Sequence, residues 1–150
     1  MFRFERSTLS ELTAHAFVEA RVVRFQDVDA AGIIFYPRIF EYCHDVLVSF
    51  MAAAGTPLHV ALASPSWIAP IRHAEADYMK PLRFGDAIDV ALVRAHLEPS
   101  EVTLGFRVAR AGGGEVCAVV QSVHTFLDPV SFRRCELPEP LRGAFAAIGT

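Results

Sequence analysis

Two aspartates, Asp27 and Asp29, stand two positions apart in the stretch DVDAAGIIFYP, just ahead of the apolar run 33–36. If both lie at the end of a strand, their side chains point to the same side. Gly32 can then take a backbone conformation that other residues resist, and the chain enters a helix near Pro37. A carboxylate before a helix start suits acyl transfer, because it acts as base or nucleophile while unpaired helix N–H groups bind the developing oxyanion.

The two acids also have a simpler interpretation. Aspartate is a common turn and capping residue, so Asp27 or Asp29 can do no more than cap the turn. The pattern of residues by itself leaves both interpretations open.

The elements that must position these residues follow from the apolar periodicity. Residues 16–26 are rich in β-branched and aromatic side chains, which predicts a strand. Between Pro37 and Gly55, apolar residues recur at three- and four-residue steps, which predicts an amphipathic helix of about five turns. The remaining predicted elements are strands at 67–80, 87–97, 101–110 and 116–127 and a short helix at 139–148. Since tight turns join consecutive strands, we expect an α+β protein with an antiparallel sheet covered by the long helix.

Length and composition predict one domain, 1–150, with a short N-terminal extension, 1–13. The 53% apolar content suggests that some surface is buried between subunits. A net charge of −3 argues against a nucleic-acid partner. No signal-peptide core and no run near the roughly 18 apolar residues of a membrane span is present, so we expect a cytoplasmic protein without a membrane partner. Three widely spaced cysteines fit the same compartment.

Other kinds of site are weakly supported. The sequence contains no G-x-S-x-G elbow and no nucleotide-binding glycine loop. Cys43 and His44 are helix neighbours that point about 100° apart, so they do not form a thiolate–imidazole pair. His73, Glu75 and Asp77 share one face of a strand, where a metal is conceivable but a polar face at solvent or at a subunit contact is simpler. We therefore expect no metal and no cofactor.

The stretch DVDAAGIIFYP resembles a motif of the hotdog-fold thioesterases of the 4-hydroxybenzoyl-CoA thioesterase family: D-x-D-x-x-G, then two Ile or Val residues, with an aromatic residue two positions later. The resemblance extends to CHD at 43–45 and AEADYMKPLRFGD at 74–86, which are similar to elements of members acting on 1,4-dihydroxy-2-naphthoyl-CoA. It covers about residues 16–128. It implies a hotdog fold, in which an antiparallel sheet wraps one long central helix, and hydrolysis of acyl-CoA thioesters.

The resemblance also implies roles for residues. Asp29 corresponds to the catalytic carboxylate, which either attacks the thioester or activates water, and Asp27 corresponds to a structural acid. Gly32 shapes the turn. The backbone N–H near Tyr36, just ahead of Pro37, corresponds to the donor that polarises the thioester carbonyl.

Further expectations concern the rest of the substrate and the assembly. His44 would bind a ring hydroxyl if it faces the acyl pocket, although ordinary packing is an alternative. Lys80 and Arg83 would meet the CoA phosphates, although they can equally be solvated surface. The resemblance implies a homodimer with acyl sites at its interface, and pairing of dimers into a homotetramer.

Several substrates and functions stay open. The Tyr36-Pro37 pair and the CHD element favour an aromatic acyl-CoA, but a short- or medium-chain fatty acyl-CoA or an acyl carrier protein is an alternative. A hotdog hydratase would need an Asp and a His in D-x-x-x-x-H spacing, and this spacing is absent after both aspartates. A non-catalytic acyl-CoA-binding protein is the alternative from a different class, against which the retained Asp29 argues.

Overall fold

The computed structural model describes residues 1–150, and its main feature is a five-stranded antiparallel sheet. The strands are β1 (Phe17–Val22), β2 (Ile71–Tyr78), β3 (Ala87–Glu98), β4 (Glu101–Arg110) and β5 (Val116–Thr125). They lie in the order β1-β3-β4-β5-β2, so β1 and β2 form the two edges. The helices are α1 (Arg6–Ser10), α2 (Arg38–Ala53), α3 (Leu58–Ala63) and α4 (Leu141–Ile148). The predicted α+β class is confirmed.

Helix α2 lies against the inner face of the sheet and supplies the centre of the core. Its buried face consists of Ile39, Tyr42, Cys43, Val46, Leu47, Phe50 and Met51. These side chains join inner-face residues of β3, β4 and β5 in one apolar cluster. Each large side chain buried in this way contributes about 1.5–3 kcal/mol. The predicted helix and its apolar face are confirmed, with Tyr42 as an additional buried member.

The end of α2 is set by a glycine, as the sequence indicated. Gly55 has φ +83°, a left-handed conformation that side chains disfavour. Thr56 then donates its N–H to the carbonyl of Met51 at 2.9 Å, which satisfies one of the last helix carbonyls. At this end the ring of Phe145 in α4 stacks on Phe50.

The strand predicted at 16–26 is shorter than expected. It ends at Val22, and Phe25–Asp27 form a 3-10 turn. Helices α1 and α3 were not predicted, because segments of five and six residues are too short to show a helical period. None of the helices has both the length and the apolar character needed to cross a membrane.

The outer face of the sheet is covered by residues 1–13, called here the N-terminal segment. Phe4 and Leu9 pack on the sheet side chains Ala91, Val93 and Val119. Gln121 binds both backbone groups of Phe4, accepting from its N–H at 2.9 Å and donating to its carbonyl at 3.1 Å. Arg107 of β4 is buried and donates its Nε–H to the carbonyl of Ser10 in this segment at 3.0 Å. Glu101 and Thr103, which also alternate with apolar residues of β4, are buried too.

Candidate active site

Asp27 and Asp29 do not lie on the same side of a strand, and that prediction is wrong. The 3-10 turn breaks the two-residue alternation of a strand between them, so Asp27 turns into the core and Asp29 turns outward. Asp27 is fully buried, whereas Asp29 is exposed. The two carboxylates therefore occupy different environments.

Two side chains donate hydrogen bonds to Asp27. Its Oδ2 accepts hydrogen bonds from Nε of Arg24 at 2.7 Å and from the hydroxyl of Tyr42 at 2.5 Å. Burial acts to raise the pKa of Asp27, but the bonds from Arg24 and Tyr42 outweigh it and hold the pKa below its usual value. The result is an ionised, paired carboxylate that fixes the loop before α2.

Asp29 makes the turn-capping bond that the sequence suggested and also leaves one carboxylate oxygen unpaired. Its Oδ1 accepts the N–H of Ala31 at 2.8 Å, which is a turn-capping bond. Its other carboxylate oxygen has no partner within the chain. Gly32 makes the turn at φ +75°, and its N–H bonds the carbonyl of Asp29 at 2.9 Å. One oxygen thus orients the carboxylate while the second stays available for chemistry.

A surface cleft of about 450 Å³ lies beside this carboxylate and is called here the outer cleft. Its walls are mostly apolar, and the lining residues are Asp29, Ile33, Ile34, Phe35, Tyr36, Tyr78, Met79, Lys80, Pro81 and Leu82. Apolar walls strengthen electrostatic interactions of a bound group, since less water screens them.

One backbone donor beside the start of α2 is unpaired, and its residue lines the outer cleft. The N–H of Tyr36 has no acceptor within the chain, and Pro37 next to it has no N–H. The hydroxyl of Tyr78 donates to the carbonyl of Tyr36 and so helps to hold the backbone at this residue. Burial, with smaller effects of Cys43 and Tyr36, raises the pKa of Tyr78 to about 12, so its phenol stays protonated at neutral pH.

A second cavity, called here the inner cavity, lies between α2 and the sheet and has a volume of about 100 Å³. Most of its lining is apolar, and the polar exceptions are His44, Ser122 and His124. His44 is exposed at the mouth, whereas the adjacent Cys43 is buried. Burial raises the pKa of the Cys43 thiol, so it is not a ready nucleophile. The structure thus places His44 beside a cavity, as a substrate-binding role requires.

The two predicted CoA-binding cations occupy different positions. Lys80 lines the outer cleft and lies 3.3 Å from Glu115. Arg83 is exposed beyond the cleft lining; its backbone N–H donates to a carboxylate oxygen of Asp86 at 2.8 Å, and its side chain has no hydrogen-bond partner within the chain. Lys80 is therefore brought together with Asp29, and Arg83 is not.

The polar face of β2 is occupied by protein contacts. Arg3 of the N-terminal segment lies 2.7 Å from Glu75 and 3.0 Å from His73. No group of three or more His, Cys, Asp or Glu side chains is arranged to hold a metal ion.

Three residues of these cavities were missed in the sequence. Tyr78 lies inside the stretch AEADYMKPLRFGD, and its signal was an aromatic residue at the end of a strand. Ser122 and His124 alternate within the otherwise apolar strand β5. That alternation was a usable signal, since residues two apart share one face of a strand.

The structure combines an antiparallel sheet packed on a long helix with an oriented carboxylate and an unpaired N–H beside the helix start, which is a hotdog-type arrangement. Residues 23–145 match the thioesterase-like superfamily, and the chain belongs to this family. The predicted hotdog fold and the predicted enzyme class, a thioester hydrolase, are confirmed.

Among the related sequences are two named 1,4-dihydroxy-2-naphthoyl-CoA hydrolase. The protein from Thermosynechococcus vestitus is 31% identical, over 81% of this chain and 82% of the relative. The protein from Synechococcus elongatus (strain ATCC 33912 / PCC 7942 / FACHB-805) is 32% identical, over 81% of this chain and 89% of the relative.

Solved structures show the same fold. A 1,4-dihydroxy-2-naphthoyl-CoA thioesterase from Synechocystis superposes with a TM-score of 0.82 at 21% identity, covering 87% of this chain and 96% of the other. A gentisyl-coenzyme A thioesterase superposes with a TM-score of 0.75 at 26% identity, covering 85% of this chain and 98% of the other.

Proposed function

We propose that the protein hydrolyses an aromatic acyl-CoA thioester to the free acid and CoA, with Asp29 as the catalytic carboxylate. The observation that carries this proposal is that Asp29 and Tyr36, whose backbone N–H is unpaired, line one apolar cleft beside the start of α2. A thioester placed between them would meet a carboxylate on one side and an oxyanion donor on the other.

Two routes fit this geometry. As a nucleophile, Asp29 forms a bond to the thioester carbon, the C–S bond breaks, CoA thiolate leaves, and water hydrolyses the resulting anhydride. As a general base, Asp29 takes a proton from water as the water attacks, and the proton is passed to the departing thiolate. In both routes the N–H of Tyr36 binds the oxyanion, and one such donor typically stabilises the transition state by about 3 kcal/mol.

The aromatic acyl class is supported by the names of the relatives. The relatives described above are named for dihydroxynaphthoyl and gentisyl thioesters of CoA, which are hydroxylated aromatic acyl groups. The aromatic walls of the outer cleft, Phe35, Tyr36 and Tyr78, suit a flat ring. His44 would lie near the acyl group from its place at the mouth of the inner cavity.

The CoA moiety would bind at the rim of the outer cleft. Lys80 stands in the lining and Arg83 lies three residues further, with a guanidinium that has no ion-pair partner within the chain. We propose that these two cations meet the phosphates of CoA. Neither proposed route requires a metal or a cofactor.

We propose a homodimer that builds the acyl site at its interface. Strand β2 is a sheet edge with unpaired backbone groups, and its apolar residues Ile71 and Tyr78 are exposed in the single chain. Pairing of dimers into a homotetramer, in the cytoplasm, is part of the same proposal. Because the N-terminal segment covers the outer face of the sheet, dimers would meet through another surface.

The test is steady-state hydrolysis, followed by loss of thioester absorbance. The panel contains 4-hydroxybenzoyl-CoA, 1,4-dihydroxy-2-naphthoyl-CoA, phenylacetyl-CoA, and short- and medium-chain fatty acyl-CoAs. Each is run with the unmodified protein, with Asp29→Asn, and with Glu136→Gln, a control that removes an exposed carboxylate outside both cavities. We expect aromatic turnover that falls at least about a hundredfold in Asp29→Asn alone.

Other outcomes would contradict parts of the proposal. Equal turnover by Asp29→Asn rules out the proposed carboxylate. Preference for fatty acyl-CoA corrects the substrate class. No turnover across the panel directs the next assay to acyl carrier protein thioesters and, failing those, to a non-catalytic acyl-CoA-binding role.

A further inference from the structure

Two exposed phenylalanine rings meet beside the outer cleft. Phe25 and Phe84 keep 73% and 61% of their surface exposed, and their ring centroids lie 5.7 Å apart. The rings are nearly perpendicular, at 82°, which is the edge-to-face arrangement that aromatic pairs favour. In this arrangement the edge of one ring covers one face of the other, and the remaining ring faces stay open. The two residues are called here the Phe25–Phe84 pair.

The turn that carries Phe84 is held by backbone bonds on both sides. The N–H of Arg83 donates to Oδ2 of Asp86 at 2.8 Å, and the N–H of Asp86 donates to the carbonyl of Arg83 at 3.0 Å. The carbonyl of Val23 accepts the N–H of Gly85 at 2.9 Å, and the N–H of Val23 donates to the carbonyl of Asp86 at 3.0 Å. Because the turn is already fixed, a ligand that stacks on Phe84 does not have to order it.

The Phe25–Phe84 pair adjoins the outer cleft through the two loops that form the cleft. Phe84 follows Leu82 of the cleft lining by two residues, a separation of no more than about 7 Å. Phe25 precedes Asp29 in the loop before α2. The N–H of Ile34, another lining residue, joins the two loops by donating to the carbonyl of Leu82 at 2.8 Å. A ligand that lies in the cleft can therefore continue onto the aromatic pair.

A free cation stands between the cleft and the pair. Arg83 is exposed, and its guanidinium makes no ion pair within the chain. From the cleft outward, the protein thus presents apolar walls, then a guanidinium, then two aromatic rings. CoA presents matching groups in the same order outward from its thioester, namely the pantetheine arm, the diphosphate and the adenine base. Guanidinium groups pair with phosphate, and aromatic side chains stack on nucleic-acid bases.

Resting on the proposed acyl-CoA hydrolysis, we propose that the Phe25–Phe84 pair binds the adenine base of CoA by stacking, with Phe84 as the principal contact. Arg83, directly before Phe84, orients the nucleotide through its phosphates. This assigns a binding role to two residues that the chemistry at Asp29 does not use.

The experiment compares thioesters of one acyl group that differ only in how much of CoA they retain. The acyl group that the panel above ranks first is used as its CoA thioester, as its 4′-phosphopantetheine thioester, which lacks the adenosine, and as its pantetheine thioester, which lacks every phosphate. The variants are Phe84→Leu, Phe84→Tyr, Phe25→Leu and Arg83→Gln. The matched control is Phe132→Leu, because Phe132 is equally exposed, at 66%, and lies outside both cavities. Circular dichroism reports folding, and size-exclusion chromatography reports the association state.

We expect Phe84→Leu to raise KM for the CoA thioester about tenfold and to leave kcat unchanged, because the lost contact is made equally in the ground state and the transition state. KM for the other two thioesters should not change. Phe84→Tyr keeps the ring and should match the unmodified protein, and Phe25→Leu should give a smaller rise. Arg83→Gln should raise KM for both thioesters that carry phosphate. Phe132→Leu should change none of these values.

Three kinetic results overturn the inference: a KM for the CoA thioester that Phe84→Leu leaves unchanged, an equal rise for all three thioesters, or a rise in Phe84→Tyr as large as in Phe84→Leu. An equal rise is what a merely structural role of the turn produces. A changed association state of Phe84→Leu at unchanged KM assigns the pair to a contact between copies of the chain, which overturns the inference too.

Binding of CoA and of adenosine 3′,5′-bisphosphate, measured by isothermal titration calorimetry, gives a readout that needs no hydrolysis. Both ligands contain the base, so both should bind Phe84→Leu about tenfold more weakly than Phe132→Leu. If no thioester is hydrolysed, the proposed function fails, whereas these affinities still decide the role of the pair. Equal affinities of the two variants, or no binding of CoA, overturn the inference.

Discussion

The hydroxyl of Tyr42, in the first turns of α2, donates a 2.5 Å hydrogen bond to the buried carboxylate of Asp27. This bond joins the long helix to the loop that carries Asp29. It explains how an exposed carboxylate in a loop keeps a fixed position next to the helix start, because the neighbouring acid anchors the loop to the core.

Removing this anchor should lower stability. Tyr42→Phe deletes the hydroxyl and leaves Asp27 buried with one donor fewer, so we expect a loss of about 1–3 kcal/mol in the free energy of unfolding. Urea denaturation at pH 7 measures it. Tyr36→Phe is the matched control, since its exposed hydroxyl makes no bond, and an equal loss in both variants would contradict the assignment.

The same carboxylate predicts a pH dependence. The pKa of Asp27 is lower in the folded than in the unfolded protein, where it is about 3.9. Its stabilisation is therefore complete above the unfolded pKa and is lost as the pH falls towards the folded pKa. Urea midpoints should drop between pH 5 and pH 2.5, and this drop should shrink in Asp27→Asn. An undiminished drop would assign the acid sensitivity to other groups.

The turn at Gly32 should control activity more than stability. Gly32→Ala forces a side chain into a left-handed conformation, which costs about 1 kcal/mol, and it shifts the bonded turn that orients Asp29. We expect turnover to fall about tenfold or more. Gly113→Ala is the matched control, because Gly113 has φ +77° in a hairpin turn with open space around it. It should lose similar stability and keep full activity, and parallel losses of activity would contradict the role of the turn.

The backbone position of Tyr36 should depend on the hydroxyl of Tyr78. Tyr78→Phe removes the hydroxyl that donates to the Tyr36 carbonyl, so the backbone around Tyr36, including its unpaired N–H, is held less firmly. We expect kcat to fall about tenfold with little change in KM, since a transition-state contact is weakened. Steady-state kinetics with the aromatic substrate measure this split. A rise in KM at unchanged kcat would instead assign Tyr78 to ground-state binding.

The packing of the N-terminal segment on the outer face of the sheet can be tested by a substitution at Gly105. A Cβ added there would lie 2.2 Å from Cδ2 of Leu9 and 3.4 Å from Cδ2 of Phe4, so Gly105→Ala should displace the N-terminal segment. We expect a loss of about 1–3 kcal/mol and faster proteolysis within residues 1–13. Gly143→Ala in α4 is the control, where alanine should be neutral or stabilising by helix propensity. Unchanged proteolysis in Gly105→Ala would show that the segment adapts.

The sequence by itself determined the elements and the candidate carboxylate. The period of apolar residues predicted α2 and its buried face, and alternation and turn residues predicted the strands. Both signals depend on residues that are close in the chain, so they can be recognised without a structure. The segment around Asp29 and Gly32 resembles the thioesterase motif, and it predicted the family because a motif is also a pattern of residues close in the chain.

Only the tertiary structure decided the environment of each side chain. Asp27 and Asp29 look equivalent in the sequence. In the structure Asp27 is buried and bonded by Arg24 and Tyr42, whereas Asp29 lies in a cleft. In the sequence His124 is one residue of a predicted strand, and only the packing of α2 on the sheet places it in the lining of a cavity. Burial and partners come from residues far apart in the chain, brought together by packing, and no local period encodes them.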